Sequence, residues 1–291
     1  MGRVAIIGLG PVGVSMGLSL KRSRLFSNEI VGFSEERSKR TLAVRMGAVD
    51  TTTSNLPSSL AGAQLVVVDT PLADMERTFE AMGPVVECGS IVTDTCVAKT
   101  CVMEWAERYF PDGVDFVGGH PLTETRLFSI DQADPSVFKN IDYCVTLSST
   151  TAAASVRQVV ELIECLGSNP LFLDPQEHDS YITAMTHLPV ALSAAFLAVT
   201  AGGASWREMH RMTTLEFETI TRAARNNPEE SEAACLANSD EMVRWVDQII
   251  VELCAYRDRI ASRNGKREIL ETFVKAWEAR ALWESDQVFE V

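Results

Sequence analysis

The sequence is short of positive charge. Twenty-six lysines and arginines face 40 aspartates and glutamates, which gives a formal net charge of −14. A surface with this excess of negative charge argues against nucleic acid and against anionic membranes as partners. A site for an acidic small molecule would therefore have to be locally basic.

Metal-binding patterns are missing as well. The seven cysteines are scattered, with no C-x-x-C pair and no cysteine–histidine spacing typical of a metal site. We therefore expect no metal, and interpret the cysteines as reduced thiols of a cytoplasmic protein. We also expect neither a signal peptide nor an apolar stretch long enough to span a bilayer.

The first half of the chain alternates short apolar runs with stretches of helical periodicity. Such alternation is typical of an α/β domain whose parallel strands are joined by right-handed crossovers. The predicted strands are Val4–Ile7, Ile30–Phe33, Leu65–Asp69, Ile91–Asp94, Phe116–Gly118, Tyr143–Leu147 and Leu171–Leu173. The predicted helices include Leu72–Val86, Lys99–Phe110 and Thr151–Leu166.

The pattern changes after Asp174, where strand signals end and helical periodicity dominates. We predict helices over Asp179–Thr200, Trp206–Ala224, Ser239–Ser262 and Lys266–Trp283. The fold is thus a Rossmann-type domain (residues 1–174) followed by an all-helical domain (residues 175–291). The long apolar faces of these helices favour a homodimer formed through the helical domain.

A G-x-G-x-x-G sequence lies between the first predicted strand and an amphipathic helix. In that context it indicates a dinucleotide-binding loop, whose glycines allow a tight turn and a close approach of the pyrophosphate to the helix N-terminus. We predict that the cofactor is NAD or NADP. The predicted loop residues are Gly8, Leu9, Gly10, Pro11, Val12 and Gly13.

The end of the second strand is expected to contact the adenosine ribose. An acidic residue there favours NAD, whereas a small residue followed by arginine favours NADP. Here the position holds Ser34, and Arg37 and Lys39 could meet a 2′-phosphate, while Glu35 could bind the ribose hydroxyls or repel that phosphate. Together these residues slightly favour NADP over NAD.

Three other strand ends carry polar residues where the nicotinamide would lie. The first has Thr70 and Pro71 after Asp69, the second begins at Asp94, and the third has His120 between two glycines and a proline. A histidine held in such a turn suits a group that accepts a proton as hydride leaves. We therefore predict His120 as catalytic, and Thr70, Pro71 and Asp94 as cofactor-binding.

The helical half offers His187 and Arg222. Pro189 is expected to kink the helix next to His187 and to free backbone carbonyls there. A guanidinium is well suited to bind a carboxylate. Taken alone, these two residues would be better explained as a core histidine and a surface arginine than as ligands.

Together these motifs resemble the prephenate/arogenate dehydrogenase family. Asp94 to Lys99 is similar to the family's Asp-x-x-Ser-x-Lys, and Gly118-Gly119-His120-Pro121 to its Gly-Gly-His-Pro. The remaining motifs follow in the family's order: His178-Asp179, Thr186-His187-Leu188-Pro189, Thr221-Arg222, Asn227-Pro228 and Asn238.

The resemblance implies oxidative decarboxylation of a cyclohexadienol, with hydride transferred to the nicotinamide and the ring made aromatic. It implies that His120 draws the proton from the ring hydroxyl, that Arg222 holds a carboxylate of the small-molecule substrate, and that His187 lines the same pocket. No metal is needed, because aromatisation drives the reaction.

The sequence departs from the family pattern at three places. The family serine falls at Val97, which cannot hydrogen-bond, although Thr95 or Cys96 could substitute in the substrate pocket. Leu122 to Thr125 differs from the family's Met-Ala-Gly-Thr, and the tryptophan expected after Pro228 is missing.

Alternative functions follow from these departures. Val97 suggests a 4-amino-4-deoxyprephenate substrate, or an NAD(P)-binding sensor that has lost catalysis. A β-hydroxyacid-type dehydrogenase would use a lysine in the helical half, and Asp179–Thr200 contains none.

Overall fold

The computed structural model of the chain describes residues 2–23, 29–123, 129–262 and 265–288. Spatial contacts divide the chain into two compact units, residues 1–239 and residues 240–291. The first unit contains the sheet and the helices that follow it up to Asn238. The described residues of the second form two long helices.

The described residues of the first unit form one eight-stranded sheet. Its spatial order is β3-β2-β1-β4-β5-β6-β7-β8. From the central pair β1 and β4, the strands β2 and β3 extend to one edge and β5 to β8 to the other, so the strand order reverses between β1 and β4. The strands are β1 (Arg3–Ile7), β2 (Ile30–Phe33), β3 (Thr51–Thr53), β4 (Ala63–Val68), β5 (Ile91–Asp94), β6 (Asp115–Pro121), β7 (Asp142–Thr146) and β8 (Asn169–Phe172).

The prediction of a parallel sheet is wrong at one junction, because β7 runs antiparallel to β6. A parallel pair needs a crossover connection, usually a helix. Between β6 and β7 the described residues form only two short 3₁₀ turns, Ile130–Gln132 and Pro135–Phe138. β3 was not predicted, since it is a three-residue edge strand with no buried residue.

Helices cover both faces of the sheet. Alternate residues of β1 enter different cores: Val4 and Ile6 belong to one apolar cluster, and Ala5 and Ile7 to the other. This is the burial expected of a strand covered on both faces. The helices of this part are α1 (Pro11–Arg22), α2 (Arg37–Met46), α3 (Leu56–Leu60), α4 (Leu72–Met82), α5 (Thr100–Tyr109) and α6 (Ala153–Leu166).

Helices make up the described part of the chain after β8. They are α7 (Pro175–Ile182), α8 (Leu188–Ala201), α9 (Trp206–Met209), α10 (Leu215–Thr221), α11 (Pro228–Ala237), α12 (Ser239–Ala261) and α13 (Lys266–Val288). The helix predicted over Trp206–Ala224 is broken into α9, α10 and two 3₁₀ turns. The predicted boundary at residues 174/175 coincides with the change from sheet to helix. The division of the chain into two domains at that point stays a prediction.

The helix predicted over Asp179–Thr200 is interrupted where Pro189 indicated. A π-helical turn, Thr183–His187, separates α7 from α8, and Pro189 lies in the first turn of α8. Proline cannot donate the backbone hydrogen bond that would continue α7 regularly, and π turns recur at functional sites. His187 is the last residue of this π turn.

One helical run is long and apolar enough to span a membrane by length and composition. It is Pro175–Ala201, with a mean hydropathy of 1.7, so the expectation that no such stretch exists is wrong. The same run carries buried His178, Asp179 and His187. Core helices of globular proteins can reach the same length and hydropathy.

Candidate active site

The glycine-rich loop joins β1 to α1 as predicted. Gly8 has φ +89°, a conformation that strongly favours glycine, and a Cβ there would lie 2.4 Å from the backbone oxygen of Asp69. Leu9 is buried in the core and packs against Gly32. Pro11 is the first residue of α1, and its fixed φ suits that position.

Asp69 lies beneath this loop and was not among the predicted site residues. Its Oδ2 accepts a hydrogen bond from the Gly13 amide at 2.6 Å, and its Oδ1 accepts one from Thr95 Oγ1 at 2.8 Å. Burial raises the pKa of Asp69 despite these hydrogen bonds. The carboxyl thereby connects the start of α1 with the end of β5.

Thr70 and Pro71, both predicted to bind cofactor, follow Asp69 at the carboxyl end of β4. Thr70 Oγ1 lies 3.5 Å from Met75 Sδ, and Pro71 precedes the first turn of α4. Both residues are therefore at the sheet edge where a dinucleotide binds in this type of fold.

At the end of β2, Ser34 is buried and its Oγ accepts the Glu36 amide at 3.2 Å. Arg40, which the sequence interpretation overlooked, donates to the backbone oxygens of Ser34 and Glu35 at 2.6 and 2.8 Å. Arg37 is exposed at the start of α2. Lys39 is paired with Glu36 at 2.6 Å.

A buried ion pair joins the ends of β5 and β6. Asp94 and Lys99 are both fully buried, and the ammonium contacts Asp94 Oδ2 and donates to the Gly119 oxygen at 2.7 Å. Asp94 Oδ1 accepts the Gly119 amide at 2.9 Å. The pair therefore holds both backbone groups of the residue that precedes His120. Asp94, predicted to bind cofactor, has its carboxylate committed to this structural role.

His120 is the first of three side chains linked in a row. Its Nδ1 lies 2.9 Å from His178 Nε2, and His178 Nδ1 lies 2.8 Å from Asp179 Oδ1. All three side chains are buried. The row runs from the end of β6 into α7, and it unites two motifs 58 residues apart in sequence.

Asp179 is held by several donors. The amides of Lys99 and Thr100 donate to its two oxygens at 2.7 and 2.8 Å, and Asn238, in the amide orientation that satisfies its neighbours, donates at 3.2 Å. Burial opposes ionisation, but the hydrogen bonds from His178, Thr100 and Lys99 outweigh it and lower the pKa of Asp179. Asp179 is accordingly a carboxylate at neutral pH.

An ionised Asp179 determines the tautomers along the row. A carboxylate only accepts hydrogen bonds, so His178 carries its proton on Nδ1 and accepts on Nε2. His120 then donates from Nδ1, which leaves its Nε2 as an acceptor. Burial, reinforced by nearby His178, Lys99 and His187, holds the pKa of His120 well below 6.5. The site thus contains a neutral imidazole with one available lone pair.

His187 lies in the same cluster, since its charge also influences the pKa of His120. It is 4% exposed, and neither ring nitrogen has a hydrogen-bond partner among the described residues. The Thr183 hydroxyl, four residues earlier on the π turn, is also unpartnered in the described part of the chain. Buried polar atoms without partners are costly, which indicates a place for polar groups of a ligand.

The residues offered in place of the family serine do not supply a hydroxyl near His120. Val97 is half-buried, Thr95 directs its hydroxyl to Asp69, and the Cys96 thiol is buried with its pKa raised to about 11. The departure at Glu124 and Thr125 lies outside the described residues.

Arg222 lies on the turn between α10 and α11. It is exposed on a 3₁₀ turn and lines a cavity of about 850 Å³ together with Trp206, His210, Phe217 and Arg225. In the described residues it makes no hydrogen bond to His120 or His187.

Comparison with known proteins decides the family. Residues 16–170 match the model of the prephenate dehydrogenase nucleotide-binding domain, and residues 174–276 match that of the prephenate dehydrogenase dimerization domain. The chain belongs to the prephenate dehydrogenase family. This dehydrogenase is 24% identical to the cyclohexadienyl dehydrogenase of Zymomonas mobilis over 97% of its own length and 96% of that protein.

Solved structures agree with this fold. The prephenate dehydrogenase of Aquifex aeolicus, solved with hydroxyphenyl propionate and NAD+, superposes with a TM-score of 0.86 at 21% identity, covering 97% of this dehydrogenase and 98% of that chain. The arogenate dehydrogenase of Synechocystis gives 0.83 at 25% identity, covering 97% and 99%.

The loop fits a dinucleotide. The amide of Val12 lies in the first turn of α1 and has no partner among the described residues, so it is available to a phosphate oxygen. Gly8 to Gly13, Ser34 and Thr70 are the residues that would hold the cofactor. When bound, the nicotinamide supplies the hydride acceptor.

We predict that Lys99→Met lowers the free energy of unfolding by about 3–5 kcal/mol, because it leaves the Asp94 carboxylate buried without its cation. The double variant Lys99→Met/Asp94→Asn is expected to lose less free energy of unfolding. Urea unfolding followed by circular dichroism measures both, with exposed Lys139→Met as the control expected to match wild type. A Lys99→Met protein as stable as the wild type would contradict the structural role of the pair.

Proposed function

We propose that this dehydrogenase oxidises and decarboxylates a prephenate-type cyclohexadienol, prephenate or arogenate, with NAD(P)+ as hydride acceptor. The observation that carries the proposal is the row His120–His178–Asp179, which presents one free imidazole nitrogen at the carboxyl end of the sheet. A group that must receive a hydroxyl proton as hydride departs needs that property.

His120 acts as the catalytic base in this proposal. Its Nε2 accepts the proton of the ring hydroxyl, and the imidazolium that forms is stabilised through His178 by the Asp179 carboxylate. The ring carboxylate leaves as carbon dioxide, its bonding electrons entering the ring as it becomes aromatic. The chain's own residues need only orient the ring and hold one proton.

His187 and Thr183 line the substrate pocket in this proposal, since their buried polar atoms have no partner in the part of the chain that the structure describes. Arg222 binds a substrate carboxylate in the proposal, and its cavity supplies the local positive charge that an overall acidic protein needs. Arg222 is exposed in the isolated chain, so carboxylate binding by this residue requires the pocket to be completed around it.

We infer that the protein is a cytoplasmic homodimer. The matched helical model is a dimerization domain. Several large apolar side chains after β8 are exposed in the single chain, among them Val199 (82%), Met212 (80%) and Leu215 (73%). A second copy would remove such side chains from water. The seven cysteines are free thiols, as a reducing compartment requires.

NADP is the cofactor we favour over NAD. Ser34 carries no charge that would repel a 2′-phosphate, and Arg40 and Arg37 lie at the end of β2 and the start of α2. Glu35 is the residue that opposes this choice.

A second candidate substrate is 4-amino-4-deoxyprephenate. It is favoured by the missing hydroxyl beside His120, since Val97 replaces the family serine and Thr95 donates to Asp69. An amine that becomes an imine needs a different partner from a hydroxyl that becomes a ketone.

The decisive experiment is an activity matrix of prephenate, arogenate and the amino analogue, each with NAD+ and NADP+. We expect turnover of prephenate or arogenate, with the larger kcat/KM for NADP+. Turnover of the amino analogue alone would replace the first proposal by the second. Activity with none of the three would refute both.

Replacing His120 tests the base directly. We expect His120→Asn to lower kcat by about 10²–10⁴, while the dissociation constant of the cofactor, measured by calorimetry, stays within about twofold. Lys139→Asn is the control, because Lys139 is exposed and lies outside both the row and the cavity that Arg222 lines. Unchanged kcat in His120→Asn would exclude the assigned role.

The pH profile provides an independent test. Because the pKa of His120 lies well below 6.5, the base stays neutral as pH falls through that value. We expect kcat/KM to be level between pH 8 and 6.5 and to decline only below 6.5, as His120 becomes protonated. A half-maximal value at or above pH 6.5 would contradict the burial of this side chain in the working enzyme.

A further inference from the structure

The dinucleotide loop contains a carboxyl group that the proposed chemistry does not use. Asp69 Oδ2 accepts the Gly13 amide at 2.6 Å, and a Cβ on Gly10 or Gly13 would lie 2.8 or 2.6 Å from that same oxygen. The carboxyl thus fills the space that these two glycines leave open. An acidic side chain is an unusual group to place where a diphosphate is to bind.

Asp69 also occupies one of the backbone amides at the N-terminus of α1. Pro11 has no amide hydrogen, the Gly13 amide donates to Asp69, and the Val14 amide donates to the Gly10 oxygen at 3.0 Å. Val12 is then the first-turn residue whose amide has no described partner. Asp69 therefore competes with the diphosphate for the positive potential of this helix end.

No cation neutralises Asp69 among the described residues. It forms no ion pair there, and Lys39, whose charge favours its ionised form, is paired with Glu36 at 2.6 Å. Burial raises the pKa of Asp69, and the neutral hydrogen bonds from Thr95 and Gly13 oppose that effect by favouring the carboxylate, whose position they also fix.

We propose that Asp69 is a determinant of cofactor affinity, because its carboxylate shares the start of α1 with the diphosphate and weakens dinucleotide binding through like charge. The tight hydrogen bonds keep the group at the loop, so the repulsion is built into the fold. A function of this kind limits how firmly the enzyme retains its product cofactor after each turnover. This role of Asp69 rests on the dinucleotide binding of the proposed function and does not depend on the substrate.

Asp69→Asn separates this role from a purely structural one by the sign of its effect. Asparagine keeps an oxygen for the Gly13 amide and removes the charge. Like-charge repulsion predicts that the variant binds more tightly, by about threefold to tenfold. A role limited to holding the loop predicts equal or weaker binding.

The measurement is isothermal titration calorimetry of the full chain with NAD+ and with ADP-ribose, which carries the diphosphate but not the cationic ring. Both ligands are expected to bind Asp69→Asn more tightly, with the larger gain for ADP-ribose. Since no turnover is involved, the result does not depend on the identity of the substrate.

Asp50→Asn is the matched control. Asp50 also accepts a backbone amide, that of Ile30 at 2.8 Å, but at the amino end of β2, on the opposite edge of the sheet. Its substitution removes one negative charge and is expected to leave both affinities within about twofold. If Asp69→Asn does not fold, Asp69→Ser removes the same charge and retains an acceptor. ADP-ribose affinity that is unchanged or weaker in the folded charge-neutral variant would overturn the proposal.

Discussion

The ion pair between Asp94 and Lys99 is the interaction on which the site depends. One carboxylate receives the Lys99 ammonium, the Gly119 amide and the Cys96 amide, so it fixes the ends of β5 and β6 together. Two buried charges are expensive unless they are paired and hydrogen-bonded, and here the Lys99 ammonium has two acceptors and the Asp94 carboxylate three donors. The backbone conformation next to His120 follows from this arrangement.

The same lysine extends the constraint into the helical half of the first unit. Its backbone amide donates to Asp179, while its side chain donates to Gly119. Asp179 in turn orients His178, and His178 orients His120. The base is thus held from two sides, by the strand that carries it and by a helix that begins 55 residues later in sequence. Lys99 contacts both sides, the strand through its ammonium and the helix through its backbone amide.

The sequence could predict those features that depend on local pattern. The glycine loop, most of the strands and the break near Pro189 follow from residues close together in the chain. The antiparallel β7 could not be predicted, because the apolar pattern of Tyr143–Leu147 does not record the direction of its neighbour. The role of Asp69 was missed for a similar reason, since its partners Gly13 and Thr95 lie 56 and 26 residues away. The hydroxyl of Thr95 was expected in the substrate pocket, and only its distance to Asp69 shows where it points.

The π turn at Thr183–His187 behaves as a one-residue insertion in an otherwise continuous helix. Each residue of an α-helix advances the chain by about 100° around the axis, so removing one residue from this turn would rotate α8 by that amount relative to α7. His178 and Asp179 precede the turn, and His187 ends it. The relative orientation of the two groups of site residues is therefore set by residue count. Point substitutions that preserve the length of the turn can alter its chemistry, whereas a change in length would move one group away from the other.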